Sequence, residues 1–427
     1  MTRGAGPAPP DPAGAEGWLA ACSTAAARSA LDRLTGMDLS DGRLLTVLAA
    51  LRRDFAPDTA AAVLTLARLR RRAAVKFPRA DAMFFTAESL EQATAWPVAV
   101  ARAERLDALA PDGPVLDLGC GIGGDTLALA GRRDVIAYER DAERLALARA
   151  NAEALGVAAR IAFRHADWTA DLDAGRLPAA AAAFVDPARR VAGRRVFRPA
   201  DLVPPLATVL RLCDHVPVLA VKLMPGIDAA DLPDAAGLEL VSHDRVCKEA
   251  VLWLPPPPGM ARWATVHRPD GSRHTLAAAG ARAPVGDLAT PCVLYEPDPA
   301  VIRAGAVAEL CGRLGGHLFD PQIAYVVARR AQPTPFAEAF RVLEAHRFGL
   351  KALNRRIAAL GFGRLEIKRR GFPIEPEALR ARLRPSPGGR DGVVILTRRG
   401  DTHLALLGER VQREVTPPSP ARSDGPG

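Results

Sequence analysis

The chain has 427 residues, of which 49% are hydrophobic, and its formal net charge at pH 7 is +9. This length predicts about two or three domains with packed cores, and the positive charge favours a polyanionic partner. The first residues contain no apolar core of a signal peptide and no run of about 18 apolar residues follows, so we expect a cytoplasmic protein without membrane spans. Six scattered cysteines without a C-x-x-C pair and eight histidines without an H-E-x-x-H motif predict neither a disulfide framework nor a metal site.

Composition divides the two ends of the chain from its folded part. Residues 1–14 and 411–427 are rich in Pro, Gly and Ser and are predicted to be disordered. Residues 15–78 carry apolar side chains at helical spacing, which predicts an all-helical N-terminal domain. The two apolar faces are Leu44, Leu45, Leu48 and Leu51, and Val63, Leu66 and Leu69.

The most informative stretch is residues 115–126, where a hydrophobic strand carrying Asp117 leads into a glycine-rich turn and then a helix. Glycines let backbone N–H groups approach a ligand closely and adopt a positive φ, so the turn predicts a nucleotide site. Gly119, Gly121 and Gly124 also satisfy the pattern G-x-G-x-x-G, which leaves a Rossmann dehydrogenase as an alternative. No Gly-Lys-Ser/Thr follows, which excludes a P-loop, and the Asp117 carboxylate favours a cationic ligand over a pyrophosphate.

Two further predicted strands are followed by acidic residues. Residues 134–138 lead to Glu139, about where a nucleotide fold needs an acid to accept both ribose hydroxyls. Residues 160–165 lead to Asp167 and Trp168. For Asp167 a helix N-cap is the alternative function, and Trp168 could serve as a packing residue beneath the sheet.

A fourth predicted strand, residues 180–185, leads to Asp186 and Pro187. Asp-Pro starts many turns, so a turn is the alternative to a functional role. A group of arginines follows, and guanidinium groups suit a phosphate-bearing substrate, although a solvated loop would also explain them. The group consists of Arg189, Arg190, Arg194, Arg195 and Arg198.

Taken together, the four strand ends resemble those of class I S-adenosylmethionine-dependent methyltransferases. The resemblance implies an α/β fold with a Rossmann-like, seven-stranded sheet within residues 79–258, whose closing pair is antiparallel and whose later strands are residues 217–223, 239–243 and 249–254. It also implies S-adenosyl-L-methionine as the cofactor, with Asp167 accepting the adenine amino group. The implied cofactor-binding residues are Asp117, Gly119, Gly121, Gly123, Glu139, Asp167 and Trp168.

The resemblance places Asp186 where base-modifying methyltransferases carry Asp-Pro-Pro-Tyr, so the expected catalytic residues are Asp186, Pro187 and Arg189. Ala188 and Arg189 stand where that motif has its second proline and its aromatic residue. Enzymes that methylate uracil C5 need a cysteine after the fifth strand, and residues 222–225 contain none. We therefore expect attack by a base nitrogen, with Asp186 and a nearby backbone carbonyl accepting hydrogen bonds from the nucleophile and orienting it.

The C-terminal part follows four consecutive prolines, residues 255–258. Residues 259–335 are predicted to be a hairpin and a connecting region, because strands at 263–267 and 274–276 flank a Pro-Asp-Gly turn. Residues 336–410 alternate strands and helices, which predicts an α+β sandwich. This part resembles the THUMP-like domain of bacterial class I methyltransferases, and THUMP domains proper bind RNA.

Basic residues are concentrated in that domain. Lys351 and Arg355 are spaced i, i+4 on a predicted helix, a like-charge pair that destabilises an isolated helix, and Lys368 lies on the next strand. RNA phosphates would compensate these charges, and a solvated basic face is the alternative. The expected substrate-binding residues are Arg190, Lys351, Arg355 and Lys368. The predicted function is methylation of a base nitrogen in tRNA or rRNA; a methyltransferase of proteins or small metabolites and a non-catalytic RNA-binding protein are the alternatives.

Overall fold

The computed structural model describes residues 14–188, 190–191, 194–195 and 198–411. The chain divides into two compact units, the first comprising Met1–Leu238 and Glu249–Gly259 and the second Glu239–Lys248 and Met260–Gly427. Nearly all of the two termini predicted to be disordered lies outside the described residues. Among the described residues no helix is long and apolar enough to cross a membrane.

The first unit begins with helices α1 (Gly14–Ser23), α2 (Ala25–Leu34), α3 (Leu44–Leu51) and α4 (Pro57–Ala73). The face of α4 with Val63, Leu66 and Leu69 is buried, as its spacing predicts. The predicted face of α3 is partly wrong, because Leu45 is 81% exposed and the helix buries Val47 instead.

Strands and helices then alternate along the chain. The elements are α5 (Ala87–Gln92), α6 (Trp96–Leu109), β1 (Val115–Leu118), α7 (Gly124–Ala130), β2 (Val135–Glu139), α8 (Ala142–Ala154), β3 (Ile161–His165), α9 (Trp168–Asp173), β4 (Ala182–Val185), β5 (Arg190–Val191), β6 (Arg194–Arg195), α10 (Leu206–Leu210), β7 (Val218–Leu223), β8 (Gly237–His243) and β9 (Val246–Leu254). All seven strands of the predicted sheet form, as β1 to β4 and β7 to β9.

The sheet of the first unit has the strand order β3-β2-β1-β4-β7-β9. The first five strands are parallel, and β9 runs antiparallel to β7. Every residue of β1, β4 and β7 is buried, because helices cover both faces of a parallel sheet. Strands β2 and β3 lie on one side of β1 in the sheet, and β4 lies on its other side. Ligands bind at the carboxyl ends of the strands at such a switch point.

The second unit contains most of β8 and the remaining elements. These are β10 (Arg262–His267), β11 (Arg273–Ala277), β12 (Cys292–Pro297), α11 (Pro299–Ala304), α12 (Val307–Leu314), β13 (His317–Leu318), β14 (Val326–Ala328), β15 (Ala337–Arg347), α13 (Leu350–Ala359), β16 (Phe362–Arg369), α14 (Pro376–Arg380), β17 (Arg390–Arg399) and β18 (Thr402–Arg410). Strands β10 and β11 pair as a hairpin. The segment expected to be a connecting region also supplies β12, β13, β14 and two helices.

A seven-stranded sheet organises this unit, in the order β13-β14-β12-β15-β18-β17-β16. Successive residues of β17 face opposite sides: Val394 and Leu396 pack in one hydrophobic cluster, and Val393 and Ile395 in another. Helices α13 and α14 contribute Leu353, Ile357 and Leu379 to the first cluster. The sheet therefore has two buried faces, which accounts for the continuous apolar run from Val393 to Leu396 in β17.

Candidate active site

The glycine turn after β1 has the backbone conformation that its sequence requires. Gly119, Gly121 and Gly123 have φ values of +93°, +58° and +90°, which residues other than glycine rarely adopt. The amides of Gly119 and Cys120 both donate to the carbonyl of Tyr138 on β2, at 3.0 and 2.9 Å. A Cβ at Gly119 would lie 3.2 Å from the carbonyl oxygen of Asp186. The turn is therefore in close contact with the end of β4.

Asp117 is an acid with one carboxylate oxygen that makes no hydrogen bond within the described residues. Its side chain is buried, with the residue 1% exposed, and Oδ2 accepts a 2.5 Å hydrogen bond from Thr126 Oγ1. Oδ1 is buried without a hydrogen-bond partner among the described residues. Burial raises the pKa of Asp117 to about 7, Asp125 adds to this effect, and the Thr126 bond opposes it. A buried carboxylate with an unused oxygen fits a cationic ligand.

Glu139 is buried at the end of β2 and connects two loops. Oε2 accepts from the Gly121 amide at 2.9 Å, and Oε1 accepts from the Asp141 amide at 3.0 Å. Each carboxylate oxygen can accept a second hydrogen bond, so both remain able to bind hydroxyl groups. The proposed role of Glu139 at the ribose is compatible with this geometry.

Asp167 begins α9 as its N-cap. Oδ1 accepts from the amide of Thr169 at 2.9 Å and from its hydroxyl at 2.7 Å, while Trp168 is buried. The capping function named as the alternative is thus present, and it uses one carboxylate oxygen. The role of Asp167 at adenine stays a prediction, as does contact of Trp168 with the cofactor.

Asp186 follows β4, and Lys222, the fifth of six residues in β7, holds its carboxylate. Lys222 Nζ donates to Asp186 Oδ2 at 2.7 Å, and the side chains are 6% and 29% exposed, respectively. Pro187, the next residue, is buried. Arg189 lies outside the described residues, and only the backbone of Arg190 is described, in β5.

Five more side chains connect Asp186 with the start of α7, and we call the six residues the buried charge network. One guanidinium nitrogen of Arg102 donates a hydrogen bond to Asp125, and another donates a hydrogen bond to Glu249. Thr94 Oγ1 donates to Asp125 Oδ2 at 2.8 Å and accepts from Lys222 Nζ at 3.0 Å. The network consists of Thr94, Arg102, Asp125, Asp186, Lys222 and Glu249.

The charges of this network do not cancel. Burial alone would lower the pKa of Lys222, but Asp186, Glu249 and Asp125 outweigh it and raise that pKa. The two cations therefore face three carboxylates, and Asp117 adds a fourth when it is ionised. The Oδ1 atom of Asp117, which has no hydrogen-bond partner within the described residues and lies close enough to Asp125 for its pKa to be raised by it, fits a ligand with a positive charge.

Sequence reasoning missed Lys222, Arg102 and Glu249. A signal exists: each is a charged residue in an otherwise buried stretch, Lys222 in β7, Arg102 on the inner face of α6, and Glu249 in β9. Charged residues are almost never fully buried unless they are paired. What the sequence does not show is the pairing itself.

The predicted RNA-binding residues of the second unit differ in their surroundings. Lys351 and Arg355 are exposed on α13, and neither forms an ion pair within the part of the chain that the structure describes. Lys368 is 21% exposed, and its Nζ lies 2.9 Å from Glu296 and 3.0 Å from Glu338. Glu296 and Glu338 are opposite each other on β12 and β15, and Arg245 pairs with both of them as well. A phosphate would have to compete with these carboxylates for Lys368.

Within the described residues, no group of three or more His, Cys, Asp or Glu side chains is arranged to hold a metal ion. Within the described residues, none of the six cysteines is paired in a disulfide bond.

Three family models match separate parts of the chain. Residues 113–188, from two residues before β1 to Ala188, match the family described as RNA cap guanine-N2 methyltransferase. Residues 337–410 match the family described as THUMP domain-like. Residues 19–73, which hold the N-terminal helices, match a domain of unknown function.

Whole-chain similarity extends this result. An uncharacterized S-adenosylmethionine-dependent methyltransferase, found in two strains of Mycobacterium tuberculosis, is 35% identical over 361 residues, covering 79% of this chain and 92% of the relative. A crystal structure of a Porphyromonas gingivalis protein assigned as a methyltransferase superimposes with a TM-score of 0.69 at 22% identity, covering 88% of this chain and all of that one.

The strand order, the glycine turn and the acids at the strand ends define a class I methyltransferase fold with a THUMP-like region at its C-terminal end. The chain belongs to the S-adenosylmethionine-dependent methyltransferases. It is an enzyme, and S-adenosyl-L-methionine is its cofactor.

Proposed function

We propose that this methyltransferase methylates a base nitrogen of RNA. The observation that carries the proposal is the contact between the glycine turn and the end of β4, where the Asp186 carbonyl would lie 3.2 Å from a Cβ at Gly119. A hydrogen-bond acceptor for a nucleophile is therefore next to the turn that we expect to bind the cofactor. Asp186, Pro187 and Arg189 stay the expected catalytic residues.

The cofactor residues follow from the strand ends. When bound, S-adenosylmethionine supplies an electrophilic methyl group on a sulfonium. Asp117 would provide negative charge for the cationic end of the ligand, and Glu139 would accept hydrogen bonds from the ribose. Gly119, Gly121 and Gly123 keep side chains out of the turn, and Asp167 and Trp168 would contact the adenine.

On the acceptor side, Asp186 would act by positioning. Lys222 occupies Oδ2, so the other carboxylate oxygen and the main-chain carbonyl remain to accept hydrogen bonds from an N–H nucleophile. Orientation of a nucleophile in line with the transferred group can supply a large part of a rate enhancement without a general base. An amino or ring N–H has the donor that this arrangement requires.

RNA as the substrate is supported by three observations. The second unit matches the THUMP domain-like family, and THUMP domains proper bind RNA. The family matched by residues 113–188 is named for methylation of an RNA cap guanine. Lys351 and Arg355 are exposed on α13 and available for phosphate contacts. We propose that these two residues and Arg190 bind the RNA. Contact of Lys368 with the RNA stays a prediction, because its ammonium is paired with Glu296 and Glu338.

The test uses acceptors from a strain that lacks the gene. Its lysate is incubated with the purified full-length protein and S-adenosylmethionine labelled in the methyl group, then treated with nuclease or protease. Label that nuclease releases and protease does not supports RNA as the substrate. Label that only protease releases, or that remains in the small-molecule fraction, would assign the enzyme to proteins or metabolites instead.

A further inference from the structure

Lys222 is an unusual residue for its position. It lies near the carboxyl end of β7, a strand whose six residues are all buried and whose other five are apolar. Its two hydrogen bonds go to Asp186 Oδ2 at 2.7 Å and to Thr94 Oγ1 at 3.0 Å. Its side chain therefore connects the end of β4 with the loop between α5 and α6, which contains Thr94.

Stability alone gives little reason for this ion pair. Removing an ammonium from water is costly, and replacement of a buried ion pair by packed apolar residues is often neutral or stabilising. The rest of β7 is filled in that way. The one charged residue of the strand contacts the acid that we expect to orient the nucleophile, which points to a role in the reaction.

The second contact of Lys222 leads to the cofactor side. Thr94 donates to Asp125, the second residue of α7, and Gly124 begins that helix directly after the glycine turn. Arg102 holds the other oxygen of Asp125. Any movement of α7 would therefore reach Asp186 through three hydrogen bonds and the side chains of Thr94 and Lys222.

We propose that Lys222 is a positioning residue for methyl transfer, which fixes the Asp186 carboxylate by one oxygen and ties it through Thr94 to Asp125 at the glycine turn. This inference rests on the proposed function, in which Asp186 orients the nucleophile. The other carboxylate oxygen is left for the substrate, and Lys222 need not touch the reacting atoms.

Three variants of the full-length protein test the role. Lys222→Met keeps the length of the side chain and removes its charge, and Lys222→Arg restores a cation. Lys248→Met is the matched control, because Lys248 is exposed and outside the buried charge network. The acceptor is whichever lysate fraction the wild-type protein labels, so the test does not depend on that fraction being RNA. The readouts are the transfer rate at saturating cofactor, the affinity for S-adenosylmethionine and the unfolding midpoint.

We expect Lys222→Met to lower the transfer rate about 100-fold, because a misplacement of about 1 Å has an effect of that size. Cofactor affinity should stay within a few fold of the wild type, Lys222→Arg should recover part of the rate, and Lys248→Met should match the wild type. A wild-type rate for Lys222→Met would overturn the proposal. So would a loss of cofactor affinity as large as the loss of rate, since Lys222 would then act in binding.

Two further measurements cover other outcomes. If Lys222→Met does not fold, Thr94→Val removes the hydroxyl between Lys222 and Asp125 without changing charge, and an unchanged rate would overturn the proposal. If the wild type labels no fraction, the proposed function fails separately. Crystal structures with S-adenosylhomocysteine then decide: an Asp186 carboxylate that turns away in Lys222→Met supports the role of Lys222, and one in its wild-type position contradicts it.

Discussion

Asp117→Asn should remove a pH dependence from the stability of the ligand-free protein. The buried carboxyl has a pKa of about 7, against 3.8 ordinarily, and Oδ1 has no partner in the described part of the chain. A difference of that size corresponds to roughly 4 kcal/mol between the two protonation states. Asparagine has nearly the same shape and can still accept the hydrogen bond from Thr126, but it does not titrate.

The sign follows from the direction of the pKa shift. Because the folded pKa is raised, the stability that comes from the protonated carboxyl is fully present below about pH 4 and is lost as the pH rises towards about 7. The wild type should therefore lose stability relative to Asp117→Asn across this interval, by an amount on the order of a few kcal/mol. Other titrating groups are common to both proteins and cancel in the difference.

A cationic ligand should reverse this effect, because it favours the ionised carboxylate. Binding of S-adenosylmethionine to the wild type should tighten as the pH rises through about 7, whereas binding to Asp117→Asn should change less. Denaturant unfolding between pH 4 and pH 8 measures the stability, and calorimetry measures the binding. Parallel stability curves for the two proteins, with an equal pH dependence of cofactor affinity, would refute the assignment of Asp117 to the cationic end of the ligand.

Four further predictions concern other residues. Glu139→Gln should weaken S-adenosylmethionine binding by about 1 to 3 kcal/mol in calorimetry, since a charge-assisted acceptor is lost; unchanged affinity would remove Glu139 from the ribose site. Asp186→Asn should leave cofactor affinity within a few fold and lower the transfer rate by orders of magnitude, because positioning is expressed in the rate; a normal rate would leave Asp186 as a turn residue. Combined Lys351→Glu and Arg355→Glu should weaken RNA binding and its dependence on salt. The slope of the logarithm of the binding constant against the logarithm of the salt concentration should become less steep by roughly 0.7 to 0.9 per lost phosphate contact. Lys368→Glu should instead destabilise the protein, because it places another carboxylate beside Glu338. If Lys368→Glu affected RNA binding as much as the combined variant does, without loss of stability, Lys368 would be shown to contact RNA.

The fold of the first unit could be predicted because its strands are buried on both faces. Such strands are mainly apolar, and in β1, β4 and β7 the charged residues are Asp117 and Lys222. Each of the first four strands ends close to an acid. The position of Asp117, Glu139 and Asp186 at one edge of the sheet then follows from parallel strand order. Their roles are chemical proposals, and Asp167 shows why, since its observed bonds are those of a helix cap.

The buried charge network could not be predicted in the same way. Arg102 and Glu249 are 147 residues apart, and Lys222 and Asp186 are 36 apart, so their pairing depends on tertiary structure. Strand β12 was missed for a local reason, because its short apolar run lies between Pro291 and Pro297, which usually indicate loops. Because β12 was not predicted, nothing in the sequence indicated that Glu296 would form an ion pair with Lys368.

The most direct measurement is mass spectrometry of RNA nucleosides from a strain that lacks the gene and from its parent. We predict that one methylated nucleoside, with the methyl group on a base nitrogen, is missing from the tRNA or rRNA of the deletion strain. The wild-type gene should restore it, and the Asp186→Asn variant should not. Identical nucleoside profiles in the two strains, under conditions in which the parent expresses the protein, would contradict RNA as the substrate.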